Sequence, residues 1–162
     1  QGPEKLKSDL ELRKDLKSKI PKDYLPMWLR EREIETRQVE PVDLLKAEKL
    51  PPYRSTWMKP TGKLPTDERI HQALLLYVSD MGLLGAAVNP HEVNFMSKKF
   101  QSASLDHVMW FHGKVNFNNW ILHHMHSPIS QNARGFSRGS IYTKSGKLVA
   151  STAQEGLMRI WD

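Results

Sequence analysis

The chain has 162 residues, no cysteine, a net charge of +6 and 39% apolar side chains that include five Trp, five Phe and four Tyr. That length and apolar content suit one packed domain with an appended arm and exclude a disordered chain, while the missing thiols remove disulfides, cysteine nucleophiles and thiolate metal sites together. Twelve basic and eleven acidic residues fall in 1–50 and twelve and seven in 51–162, so the excess suits an anionic ligand; with no Lys/Arg run past residue 50 longer than Lys98-Lys99, it is too diffuse for a nucleic-acid footprint.

Gln1-Gly2-Pro3 reads as the remnant of a cleaved linker, which makes the chain a piece of something longer. Residues 4–32 are charge-dense. Ser8 and Glu11 form a candidate capping box, with Leu12, Leu16 and Ile20 on one helical face before Pro21, and Leu25, Trp28 and Leu29 suit a second short helix. Residues 1–32 are therefore expected to be a linker that packs on a neighbour, and residues 33–162 the domain proper. "IETRQVEP" and "YRSTWMKPTG" read as strands.

The clearest helix follows. Thr66 is the expected N-cap, Asp67 and Glu68 suit the first turn, and Ile70, Ala73, Leu74, Tyr77 and Val78 recur at helical spacing. With Leu75 and Leu76 also apolar, burial on almost every face is expected. The apolar stretch from Ala73 to Val88 is shorter than a membrane span and is interrupted by Ser79 and Asp80, so no membrane insertion is expected. Gly82 and Gly85 loosen its end and place Asp80 in the last helical turn. A buried unpaired carboxylate costs several kcal/mol, so Asp80 must be partnered, protonated or exposed. Past Pro90 the pattern turns to strands over 100–112, 119–127, 133–143 and 147–161, the last two joined by the hairpin signal Thr143-Lys144-Ser145-Gly146. One long helix, two early strands and a run of antiparallel strands make an α+β fold with its sheet wrapped round the helix.

"HQALLLYVSDMGLL", "SLDHVMWFH", "ARGFSRGSIYTKSGKLVAS" and "AQEGLMRI", in that order, resemble the second half of the acyl-CoA thioesterase II family, the bacterial enzyme and its peroxisomal relatives. The resemblance implies a hotdog fold, one unit of a double-hotdog enzyme, and acyl-CoA hydrolysis without a cofactor. It also implies an N-terminal hotdog half as partner, or a homo-oligomer in its place. By the same resemblance the compartment is the peroxisome, or the cytoplasm in a bacterium. The catalytic roles it carries over fall on Asp80, Ser104 and Gln154.

Those residue types suit the chemistry. A carboxylate can take a proton from water, and a hydroxyl and an amide can hold that water and orient the base. Asp80 is expected partly buried beside Tyr77, Leu83 and Leu84, with Ser104 and Gln154 bonded to it. Ser104 as a nucleophile would want a histidine base held by a carboxylate or a G-x-S-x-G elbow, and Ser104 does not stand in such an elbow. Read without the resemblance, Asp80 is equally a helix-end residue, Ser104 a turn hydroxyl and Gln154 an exposed strand position. His124 and His126 share a strand face at a spacing that can bind metal, with only distant Asp106 or His112 to complete a site. Asp106 and His107, as strand neighbours, should point to opposite faces, Asp106 towards a backbone or arginine partner. Arg134 and Arg138 suit coenzyme A phosphates or plain solvation. Two other functions stay open: a hotdog enoyl-CoA hydratase, which wants an Asp/His pair close in space, and a non-catalytic acyl-CoA-binding or oligomerisation module.

Overall fold

A computed structural model describes residues 1–43, 45–93, 95 and 97–161. Its strands are β1 (Ile34–Gln38), β2 (Tyr53–Pro60), β3 (Phe100–Ser104), β4 (Val108–Phe111), β5 (Ile121–Gln131), β6 (Arg134–Thr143) and β7 (Leu148–Ile160). All pair antiparallel in one sheet ordered β1-β2-β5-β6-β7-β3, with β4 also on β7. Strict alternation fixes which face is inward: Ile121, His123, Met125 and Ser127 of β5 are buried, and so are Thr152, Gln154, Gly156 and Met158 of β7.

Against that inward face lie α3 (Glu68–Ser79) and α4 (Leu83–Val88). Leu75 and Val78 of α3 enter a core with Met58, Phe117, Ile121, Ile141 and Val149. Although Glu68–Val88 is long and apolar enough to cross a membrane, half of it is buried in this chain. A Cβ on Gly156 would stand 2.5 Å from Leu84 and one on Gly135 2.4 Å from Ala87, and these two glycines pair across β6 and β7. The pair lets α4 settle onto the sheet where any side chain would lift it off.

The phase of α3 differs from the sequence expectation. Its buried residues are His71, Leu75, Val78 and Ser79, whereas Ile70, Ala73, Leu76 and Tyr77 are exposed, Tyr77 at 65%. The sheet covers one side of the helix, and among the described residues nothing covers the other. The N-cap is Asp67 rather than Thr66: its carboxylate accepts the Arg69 N–H at 3.0 Å and also pairs with the Arg69 side chain at 2.7 Å. A charged cap is favoured at a helix N-terminus.

The Ser8–Glu11 capping box is present at the start of α1 (Asp9–Asp15), which ends a turn earlier than the periodicity suggests and gives way to a 3₁₀ turn. Trp28, in α2 (Leu25–Trp28), and Arg13 bond each other's backbone carbonyls at 2.9 and 2.6 Å, and Asp9 accepts from Thr36 of β1 at 2.6 Å. The first 32 residues thus pack on β1 of their own chain. Two strand boundaries also shift. The strand expected over 119–127 runs on to Gln131 through a register shift between His126 and Ile129, where Pro128 sits without a ladder hydrogen bond to give. It turns into β6 through Asn132 and Ala133, both with positive φ, as a two-residue hairpin turn demands.

Candidate active site

The strand expected over 100–112 is two strands. Ser104 pairs with Gly156 and Val108 with Ala153, so three residues of one chain segment, Leu105 to His107, face two of β7, Gln154 and Glu155. The extra residue makes a bulge. Within it Asp106 turns its carboxylate back on the sheet, accepting the Glu155 N–H at 2.7 Å, the backbone partner expected for it. The bulge re-aims the side chains on either side of Asp106. Ser104 and His107 both reach Gln154.

Asp80 approaches from the helix. It is the C-cap of α3, two residues before Gly82, whose φ of 83° lets the chain turn and restart as α4. A negative charge at a helix C-terminus opposes the macrodipole, so it needs donors from elsewhere. It has two: Gln154 Nε2 donates to Asp80 Oδ1 at 2.7 Å and Ser104 Oγ donates to the same oxygen at 3.0 Å. Gln154 Nε2 also stands 2.5 Å from Ser104 Oγ. Among the described residues, Asp80 Oδ2 receives no hydrogen bond. Three residues spread over 74 positions of sequence thus share one cluster.

Burial differs from the expectation for one member and agrees for none of the bland alternatives for another. Asp80 is exposed in this chain rather than partly buried, because Tyr77 and Met81 beside it also face outward; Ser104 is exposed too. Gln154 is 2% exposed, so it is no surface strand position. Its carbonyl is also held, since Oε1 lies 3.2 Å from His107 Nδ1, and His107 Nε2 lies 2.8 Å from Ser79 Oγ. His107 and Ser79 were not among the expected site residues. Strand periodicity had turned His107 away, and only the bulge brings it in.

Behind this cluster, His123 is fully buried on β5, with Nε2 3.3 Å from Thr152 Oγ1. Burial, aided by the neighbouring His107 and His124, pushes its pKa down to about 3. Elsewhere the candidates disperse. Arg134 pairs with Glu155 at 2.7 Å and Arg138 lies over the Phe136 ring. His124 bonds Ser55, and among the described residues no three His, Asp or Glu side chains cluster as a metal site would need.

The profile of the acyl-CoA thioesterase family matches residues 28–157. This chain belongs to that family. Acyl-CoA thioesterase 2 of Haemophilus influenzae is 36% identical over 140 residues, 86% of this chain and 49% of that protein. Mouse acyl-coenzyme A thioesterase 8 is 35% identical over 132 residues, 78% of this chain and 39% of that protein. The solved acyl-CoA thioesterase II of Mycobacterium marinum superposes with a TM-score of 0.68 at 28% identity, covering 99% of this chain and 54% of that one. The chain spans about half the length of the relatives it matches, and its architecture is one hotdog unit. The bulge and the broken helix are this thioesterase-family chain's means of bringing a helix cap, a bulge hydroxyl and an inward amide into contact.

Proposed function

We propose that the complete protein hydrolyses an acyl-CoA to the free acid and coenzyme A, with Asp80 as general base. Water attacks the thioester carbonyl carbon as Asp80 takes its proton; the tetrahedral intermediate then expels the coenzyme A thiolate, which receives that proton. Ser104 and Gln154 hold the carboxylate through Oδ1 and polarise the site, and no cofactor enters the reaction. The observation that carries this reading is the division of labour on Asp80, an exposed residue: Oδ1 takes both protein donors, at 2.7 and 3.0 Å, while Oδ2 accepts from none of the described residues. That is the arrangement of a fixed base with one free lone-pair edge. His107 is the histidine that a hydratase would want, yet both its nitrogens are engaged by Gln154 and Ser79 and neither meets Asp80. Asp80→Asn should lower kcat by about 10²–10⁴-fold in a chain that still folds, the usual contribution of a general base. An unchanged rate removes Asp80 from the mechanism.

We further propose that residues 33–162 are the hotdog unit, with 1–32 as its arm, and that a second hotdog unit, from the other half of the protein or from a second copy, covers the outer face of α3. The support is apolar exposure on both sides of the cluster: Tyr77 at 65% and Leu76 at 44% on the helix, Leu105 at 48%, Val108 at 45% and Trp110 at 52% around the bulge. Water is a poor neighbour for so many large apolar groups. Covering them would also dry the site and strengthen its electrostatics. The chain by itself is expected to self-associate, and light scattering that finds only monomer at micromolar concentration argues against this assembly.

A further inference from the structure

We propose that His107 is a positioning residue for this hydrolysis: it fixes which end of the Gln154 amide faces Asp80. The inference rests on the reading of Asp80 as the base and adds to it the group that keeps that base oriented.

A carboxamide is nearly symmetric in shape and opposite in chemistry at its two ends. A carboxylate only accepts, so Gln154 must offer Nε2 to Asp80; turned over, it would set carbonyl oxygen against carboxylate oxygen and leave the single Ser104 hydrogen to serve two acceptors. Nothing in the shape of the amide prevents the flip. What selects the orientation is a donor on the far side, and that donor is His107 Nδ1, 3.2 Å from Oε1.

The neighbouring protons allow two arrangements, and one of them makes Nδ1 the donor. Ser79 Oγ lies 2.8 Å from His107 Nε2 and 2.7 Å from the Leu76 carbonyl, and it has one hydrogen to give. If Ser79 donates to Nε2, the ring is neutral and its single proton is on Nδ1. If Ser79 donates to Leu76 instead, Nε2 donates to Ser79, and a neutral ring then has a bare Nδ1 that would set its lone pair against Oε1. Only the first meets Oε1 with a donor, and the demand of Asp80 for the Nε2 end of the amide selects it.

The bonds also close a ring. Asp80, Gln154, His107 and Ser79 follow one another by hydrogen bonds, and Ser79 and Asp80 are consecutive in the chain. The last turn of α3 is therefore tied to β7 on both sides of one amide, the base through its Nε2 and the helix backbone through Oε1, His107 and Ser79. Ser79 is fully buried and Gln154 is 2% exposed, so water does not readily stand in for the imidazole. His107 touches no reacting atom; it acts through Gln154.

The test is a set of variants in the whole active protein. An asparagine amide places its nitrogen where histidine holds Nδ1, whereas a glutamine amide reaches the Nε2 position. His107→Ala and His107→Gln should lower kcat about 10–100-fold, the range for loss of an orienting partner, with KM unchanged. His107→Asn should keep most of the turnover. A kcat in His107→Ala equal to wild type, or a loss in His107→Asn as deep as in His107→Ala with both variants folded, overturns the assignment. Nitrogen-15 correlation spectra of the imidazole give a readout that needs no turnover: a proton on Nδ1 is expected, and a ring protonated on Nε2 alone overturns it. Full activity in Asp80→Asn would instead strike down the base itself and with it the kinetic role of His107. An Nε2-protonated ring beside an Asp80-dependent enzyme refutes His107 alone.

Discussion

Gln154 and Thr152 are two residues apart on β7, face the same way and are equally buried, yet they live in different polar worlds. Every polar atom of the Gln154 side chain has a partner: Asp80, Ser104 and His107 converge on it from the helix cap and the bulge. Among the described residues the Thr152 side chain meets only His123, whose Nδ1 is buried with no partner. The difference lies in the neighbouring strand. At Gln154 the pairing of β7 is interrupted, so side chains can fold in from a third segment; at Thr152 it is continuous with Met109 and Gly139 on either side, and nothing can reach in. A polar group placed under an unbroken sheet stays short of partners, and stability bears the cost.

That contrast can be broken most strongly with acid. Folding holds His123 at about pKa 3 against about 6.5 unfolded. Below about pH 6.5 the unfolded chain binds a proton that the folded chain refuses. Stability should therefore be complete above that pH and fall by about 1.4 kcal/mol per pH unit as the pH drops toward 3. Denaturant midpoints recorded against pH should show this slope, and His123→Leu should flatten it by one proton's worth; an unchanged slope in that variant assigns acid lability elsewhere.

The next effect is steric. A Cβ on Gly139 would lie 2.1 Å from His123 Nε2 and 2.3 Å from Thr152 Oγ1. Gly139→Ala should lower stability by about 1–3 kcal/mol, the range for overpacking, as a leftward shift of the urea curve. Smallest is Ser137→Ala. Because Ser137 is 1% exposed and its Oγ is unpartnered among the described residues, replacing its hydroxyl by hydrogen should change stability by less than about 1 kcal/mol and in the favourable direction. A clear loss in the melting temperature would mean the hydroxyl has a partner after all. The His123 and Gly139 variants would show whether the Thr152 side of β7 carries the strain, and Ser137, paired across from Gln154, tests the other side.

How the site can be read from sequence follows the same division. Asp80, Ser104 and Gln154 stand out through the family-like motifs around them, not through periodicity, which makes Gln154 an ordinary strand residue. His107 was hidden because alternation is a rule for regular strands and residues 105–107 are not one. The burial of α3 was misjudged for a related reason: Ile70, Leu76 and Tyr77 are apolar, and a sequence cannot say whether an apolar stripe is covered by its own chain or by a partner. The exposure of Asp80 belongs to that same uncovered face.

What the sequence by itself determined was local and periodic: the Ser8 capping box, the helix from the Asp67 region, the alternation of β5 and β7, the Lys144–Gly146 turn and the α+β order of elements. Such features depend on residues within a turn or two of each other, and their energetics are written in neighbouring side chains. Only the tertiary structure decided that three residues of one segment oppose two of β7, that Ser79 and Asp80 sit on either side of one amide, and that His123 is sealed in without a full set of partners. Each of those turns on register between distant segments, where a one-residue shift reverses every side chain and no local preference registers the change.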